Sequence, residues 1–420
     1  MRYHLQMGRA MVISIAVAMG LIISPESLIV LGNGVGGGGV YFILAIAFAS
    51  ICYVPNIITQ SIAAGAGGET KFLKATIKPL LAGTSLIASR VGFTLCALPV
   101  VMSTAGFVFN ETFLYRFPNF LFAHLLLITL ALIIVINRRI SEVLQVVFIT
   151  LAISGLLVLS IIGFVRPPEV LLVLSPGGFP SSVSVMFTAI FLFVGFDLMY
   201  LSGRKAPEEA TAAITAVMFA VIIFTLWALT SFFHVPLEKL SSTTVPYSRV
   251  ARAVLGEPGR LVMGVVMISG AAAMANALLM GVGRMMTEMA SEGMLPGGFL
   301  IGRKRDAAPV VFLAGMGVAF MLLGFAGGER LLLYMRAALL LWVLHYALLH
   351  TSVVIALREN RKGSILALSA FGLVFFTISF ILLVIMHEDR GELVRSIFYL
   401  ITGGFAVSAV NILTGRNRKY

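Results

Sequence analysis

Charge is what this chain has least of. Acidic and basic residues make up 11% of it, against about a quarter in soluble proteins, while 59% of residues are hydrophobic. With the mean hydropathy of +1.03 spread over the whole length, a soluble globular protein is excluded and a lipid bilayer is the required solvent. Cysteine is almost missing as well. Cys52 and Cys96 lie inside apolar runs with no CxxC or Cys/His spacing, so there is no disulfide framework or cysteine metal site to expect, only two small buried residues. Long hydrophilic stretches are also lacking, since the longest, around His234 to Arg260, is too short for a soluble domain and carries scattered apolar side chains. Whatever the protein does, it does in or at the membrane. The 30 basic residues outnumber the 18 acidic ones, but they are scattered between apolar runs instead of forming a patch. Short basic connections orient membrane helices, and this pattern argues against a nucleic-acid partner.

What the chain does have is a series of apolar runs bounded by charge, Pro or Gly: 10–31, 40–64, 79–104, 117–136, 141–164, 182–203, 210–233, 260–288, 309–326, 331–357, 364–386 and 394–414. They are continuously apolar without period-two alternation, which predicts about twelve transmembrane α-helices and no membrane β-barrel. The first run is longer than a signal-peptide core and shows no cleavage pattern, so it is expected to be retained. Alternate connections carry 19 and 9 of the basic residues, the richer side including Lys71, Lys74, Lys78, Arg204, Lys205, Arg303, Lys304 and Arg305. By the positive-inside rule both termini are expected in the cytoplasm, with the protein in the cell inner membrane. Gly32 to Gly39 (GNGVGGGG) follows a membrane helix and no GK[ST] follows it, so it is expected to form a tight turn joining two helices, not a phosphate loop.

Two runs are interrupted. Ser24-Pro25-Glu26-Ser27 breaks the first, where Pro25 removes a backbone donor and Glu26 puts a carboxylate where lipid would not tolerate it. Gly195-Phe196-Asp197 breaks the sixth. Such breaks survive only against protein or a watery cavity. Two of them, five helices apart and in helices of opposite direction, are the sign of an inverted-repeat secondary transporter with its site at the breaks.

Gly20-Leu21-Ile22-Ile23-Ser24-Pro25-Glu26-Ser27-Leu28, Phe193-Val194-Gly195-Phe196-Asp197, and Gly283-Arg284-Met285-Met286 followed by Glu292-Gly293-Met294-Leu295-Pro296 and Pro309 carry a resemblance. The chain resembles the amino acid, polyamine and organocation permeases over roughly residues 8 to 410. The resemblance implies the leucine-transporter fold: a first repeat over 8–165 (helices 1 to 5), an inverted second repeat over 180–358 (helices 6 to 10), and two further helices over 363–414. It also implies alternating access around a site formed by the unwound parts of helices 1 and 6. Two departures stand out. Ser24-Pro25-Glu26 replaces the family's Gly-Ser-Gly, which offers backbone amides to a substrate carboxylate, and the fifth helix has Thr150, Ala152 and Ser154 where some proton-coupled members carry a Lys. The acidic pair that usually follows the sixth helix is displaced, with Arg204 and Lys205 near its place and Glu208 and Glu209 beyond it.

The expected substrate site is therefore Ser24, Pro25, Glu26, Phe193, Gly195, Phe196 and Asp197. Glu26 is either a structural carboxylate paired with a buried Arg or the substrate and proton site. Arg90 lies about 18 Å into the third run at about 1.5 Å per residue and is its candidate partner, the two forming the expected coupling pair. Asp197 is either a ligand or a helix cap, and Phe193 and Phe196 are either an aromatic lid or packing. Arg336 either snorkels to the outer interface or forms a gate. The buried histidines His124, His345 and His350 fall on no break, so a helix-packing role is expected for them. No nucleotide motif, cofactor motif, metal-ligand spacing or catalytic triad is present, which leaves no enzyme to expect and an ion gradient, with the proton as the expected coupling ion, as the energy source. Amino acid transport leads, with amine or polyamine transport or exchange as the alternative and a non-transporting nutrient receptor as the rival of another class. Membrane lipid and the small solute are the expected partners.

Overall fold

The computed structural model describes residues 2–168, 178–202, 206–300, 306–358 and 363–416. Among them no strand occurs, and the chain is an all-α, multi-pass membrane protein. Among the described residues, ten helices are long and apolar enough to cross a bilayer, and the first span, bent by 55° between Gly8–Ile22 and Pro25–Gly38, makes an eleventh. Ala307–Leu322, shorter at 16 residues, brings the number to the twelve expected from the apolar runs. We label the elements α1 (Arg2–Ile22), α2 (Pro25–Gly38), α3 (Val40–Gly65), α4 (Glu69–Thr76), α5 (Pro79–Thr112), α6 (Asn119–Ile136), α7 (Arg138–Val165), α8 (Gly178–Phe187), α9 (Ala206–His234), α10 (Leu237–Ser241), α11 (Pro246–Leu255), α12 (Glu257–Ser291), α13 (Ala307–Leu322), α14 (Glu329–Leu357), α15 (Gly363–Ile385) and α16 (Arg390–Arg416). Several basic residues of the orientation count, among them Arg204, Lys205, Arg303, Lys304, Arg305, Arg361, Lys362, Arg418 and Lys419, lie outside the described residues, as does the side chain of Glu208.

The helices sort by composition into an inner set and a lipid-facing set. The apolar stretches of α5 and α12 are each 78% buried in protein, whereas that of α16 is 17% buried and presents Phe398, Tyr399, Phe405 and Leu413 outward. The inner helices are rich in Gly, Ala, Ser and Met, which let backbones approach closely where lipid gives no hydrophobic drive for association. α12 shows this best. Gly270 lies so near the first break that a Cβ there would sit 2.8 Å from the Ile23 carbonyl oxygen. Six residues on, Asn276 donates to Gln145 Oε1 (2.8 Å) and to the Ser141 carbonyl (3.1 Å) on α7, and Gln145 Nε2 donates to the Ala16 carbonyl (2.9 Å) on α1. This polar chain ties the first half of span 1 to two neighbours.

The glycine run does not form the expected turn. Gly32 to Gly38 continue α2, and only Gly39, with φ +54, turns the chain into α3. Glycine's preference for turns is overridden because these positions are contact points: a Cβ at Gly34 would lie 2.2 Å from the Phe42 ring and one at Gly36 would lie 2.4 Å from the Ser241 backbone nitrogen. Because backbone cannot rotate away as a side chain can, Gly36→Ala is expected to lower stability by about 1 to 3 kcal/mol. Thermal unfolding in detergent checks this, and an unchanged melting temperature would show that α10 moves aside at no cost.

Candidate functional site

Both breaks have a local cause. In span 1 the chain leaves the helix at Ile23 and Ser24, and Ser24 caps the next half-helix by accepting a hydrogen bond from the Ser27 backbone N–H (3.2 Å). Pro25 takes the first position of α2, where the helix leaves an N–H unused in any case. The expected loss of an interior donor at Pro25 therefore does not arise. In span 6, a 3-10 stretch Thr188–Phe193 ends at Val194, Gly195 turns the backbone at φ +92, and a second 3-10 stretch runs over Phe196–Ser202. The two breaks touch, since a Cβ on Gly195 would lie 1.8 Å from Leu21 Cδ2. Phe193 and Phe196, both buried, close over the second break against Tyr53, with ring centroids 5.7 and 5.8 Å away. Tyr346 and Phe376 complete the aromatic group at 5.9 and 5.4 Å from the same ring.

Beside this contact lies a buried ionic cluster drawn from four segments. Arg90 sits on a π-helical turn, Ile87–Val91, within α5, and such turns re-aim a side chain within a helix. Its Nη1 donates to Glu69 Oε2 (2.6 Å), and its Nη2 donates to Glu69 Oε1 (2.8 Å) and Asp197 Oδ2 (2.5 Å). Asp197 also accepts from the Tyr346 hydroxyl at Oδ1 (2.8 Å) and from Trp342 Nε1 at Oδ2 (3.3 Å). The guanidinium lies 5.5 Å from the Trp342 ring centroid. His345 Nε2 donates to Glu69 Oε1, and its Nδ1 shares a hydrogen bond with the Ser85 hydroxyl (2.7 Å). Glu69, Arg90, Asp197 and His345 are at most 4% exposed at their side chains. On the short helix α4, outside the spans, burial alone would raise the Glu69 carboxyl, but the Arg90 guanidinium and the hydrogen bonds from Arg90 and His345 outweigh it and hold it well below the usual carboxylate range.

A helix break in span 1 meets a helix break in span 6 next to a desolvated ion cluster, an arrangement of open backbone and buried charge that is tolerated only where it faces protein or water. A family model described as amino acid permease matches residues 10–407. The chain belongs to the amino acid permease family. No curated protein matches it. Membership makes the permease a transporter of amino acids or related compounds.

The expected pairing of Glu26 with Arg90 is not formed. Arg90 spends both Nη groups on Glu69 and Asp197, while Glu26 is half-buried and has no hydrogen bond or ion pair among the described residues. Its electrostatic neighbours are Arg336 and Tyr247. The cation acting on it from a distance is the exposed Arg336, nine residues before His345 on α14, which is about 13 Å at about 1.5 Å per residue. Tyr247 of α11, outside the spans, has its phenol pushed up by burial first and then by Glu26 and Glu111. Asp197 was expected as ligand or cap. It opens the 3-10 stretch after the break, yet its carboxylate is committed to Arg90, Tyr346 and Trp342. His345 belongs to the ion cluster, contrary to the packing role expected of it, whereas His350 does pack, sharing a hydrogen bond with Thr59 (3.0 Å).

Sequence reasoning missed Glu69 altogether. It stands in a charged connection, Gly68-Glu69-Thr70-Lys71, where an acid normally meets water. The available signal was that Glu69 is the only acid between the second and third runs, opposite three lysines, so that burying it would leave it needing a cation from within the bundle.

Proposed function

We propose that the permease moves a small solute with an amino group across the cell inner membrane by alternating access, both termini in the cytoplasm, driven by a proton gradient. Span 1 (α1 and α2) and span 6 rock against α5, α12 and α14, and the solute binds where the two breaks meet. The observation carrying this reading is the contact of Gly195 with Leu21 at the junction of two broken helices. Repeats over 8–165 and 180–358, followed by the pair 363–414, would supply the pseudo-symmetric halves of that movement. Arg336, exposed and acting on Glu26 from a distance, serves as a charged gate.

Substrate class turns on Glu26. A zwitterionic amino acid brings a carboxylate, and Arg90 has only Nε left to offer it, that atom having no partner among the described residues. At the start of α2, Pro25 has no amide, that of Ser27 is taken by the Ser24 hydroxyl and that of Leu28 by the Ser24 carbonyl, so only the Glu26 amide is left to a carboxylate, and amino acid stays the leading class on family membership. The second reading, an amine or decarboxylated amino acid, is favoured by the Glu26 carboxylate itself, which lies on the break without a cation hydrogen-bonded to it.

Competition between a matched amino acid and its decarboxylated amine in proteoliposome uptake decides between them. If the amino acid reading holds, removing the carboxylate weakens competition by about 1.5 to 3 kcal/mol, the range for a hydrogen bond to a charged group. Clear preference for the amine, lost in Glu26→Gln, establishes the other. Uptake of neither, with binding retained, would mark a receptor.

A further inference from the structure

The ion cluster does not balance. Glu69 and Asp197 bring two negative charges and Arg90 one positive, all buried, so with a neutral imidazole at His345 the group carries a net charge of minus one inside the protein. Among the described residues, the other ionisable groups that face it are phenols: Tyr346 on α14, which donates to Asp197, with Tyr53 on α3 packed against Tyr346 and Tyr200 in span 6 packed against Phe196. From α12 it is met by the uncharged Met285, whose sulfur lies 3.9 Å from Arg90 Nη1. The cations nearest in sequence to Glu69 are on α4 itself, and Lys74 is turned outward onto Glu292 at 2.8 Å. A net buried charge is costly, and one added proton removes it.

We propose that the Glu69–Arg90–Asp197–His345 cluster is a proton-binding site that takes up one proton on His345 and thereby latches span 6 to α5 and α14. Geometry supports His345 as the acceptor. Nε2 already faces the Glu69 carboxylate, which only accepts, and Nδ1 faces the Ser85 hydroxyl, which donates to a neutral ring and accepts from a protonated one. The proton therefore enters without moving a heavy atom. With the proton bound, His345 neutralises Glu69, and Arg90 is left to hold Asp197, directly after the second break. When the proton leaves, one guanidinium serves two carboxylates, the hold on Asp197 weakens, and span 6 is free to swing. The inference rests on the reading of the permease as gradient-driven. It also separates two roles expected of Glu26 together, leaving solute selection to Glu26 and the proton to the cluster.

The sequence provides a reporter. It holds two tryptophans, Trp227 on α9 and Trp342, the latter one helical turn from His345 and bonded to Asp197. In Trp227→Phe, purified in detergent, Trp342 emission is expected to follow a single one-proton transition on a pH scan. His345→Gln is expected to abolish the transition. Glu69→Gln removes the charge that calls for the proton, so half-change is expected only at about tenfold or higher proton concentration, the equivalent of a pH unit. No transition in Trp227→Phe, persistence of one in His345→Gln, or an unmoved midpoint in Glu69→Gln overturns the proposal. Glu69→Gln decides alone if His345→Gln does not yield folded protein. Since the measurement uses no solute, it is independent of which substrate is carried: a titration without any uptake would sink the transport reading and leave the proton site standing.

Discussion

Arg90→Met is expected to abolish solute movement and to lower stability by about 3 to 5 kcal/mol, the range for removing one partner of a buried ion pair. The methionine fills similar space and stays apolar, so the loss comes from what remains. Glu69 and Asp197 would share a buried site with no guanidinium between them, and Glu69 would keep only His345. Arg90→Lys is expected to be intermediate, because one ammonium replaces a fork that reaches both oxygens of Glu69 and Oδ2 of Asp197 at once. Adding Asp197→Asn to Arg90→Met removes one of the stranded charges and is expected to restore part of the lost stability. Thermal unfolding of the four proteins in one detergent is the measurement. A parent-like melting temperature for Arg90→Met would show that the cluster contributes nothing to holding the helices together.

Gly195→Ala should be nearly as severe, for a reason that is steric. Its φ of +92 is a conformation that a side chain disfavours, at a cost of about 1 to 2 kcal/mol, and its Cβ would overlap Leu21, whose Cδ2, Cγ and Cβ lie 1.8, 2.8 and 2.9 Å away. Forcing those atoms apart adds about 1 to 3 kcal/mol and separates the two breaks on which the pathway depends. Leu21→Ala combined with Gly195→Ala makes room and is expected to recover the packing part of the loss, leaving the backbone part. A double-mutant cycle on stability therefore has a sign: the pair is expected to be less damaging than the sum of its members. Strict additivity would mean that Leu21 and Gly195 do not meet in the folded permease.

The apolar runs determined the helices. Their length and lack of period-two alternation are enough to predict an all-α protein of about twelve spans, because in a bilayer each span must satisfy its own backbone and so announces itself locally. Breaks are local too. Pro25 cannot continue a helix and Gly195 readily leaves one, and both interruptions fall where the sequence puts them. The family motifs around them and after α12 were equally legible, and the amino acid permease match covers the span they implied.

Tertiary structure alone decided which charges meet. Arg90 had an obvious candidate partner in Glu26, since both lie in apolar runs, but the π-helical turn aims it at Glu69 and Asp197 instead. Glu69 reads as a solvated loop acid and His345 as a packing histidine, yet α4 packs against α14, which buries Glu69 and sets its carboxylate on the His345 ring. Gly32 to Gly38 read as a turn because two of their close neighbours, Pro246 and Ser241, come from a distant part of the chain. The physical reason is the same in each case. Helix formation and helix breaking are decided within a few residues, whereas ion pairing and close approach join positions tens to hundreds of residues apart, and only the packed bundle brings them within a few ångströms.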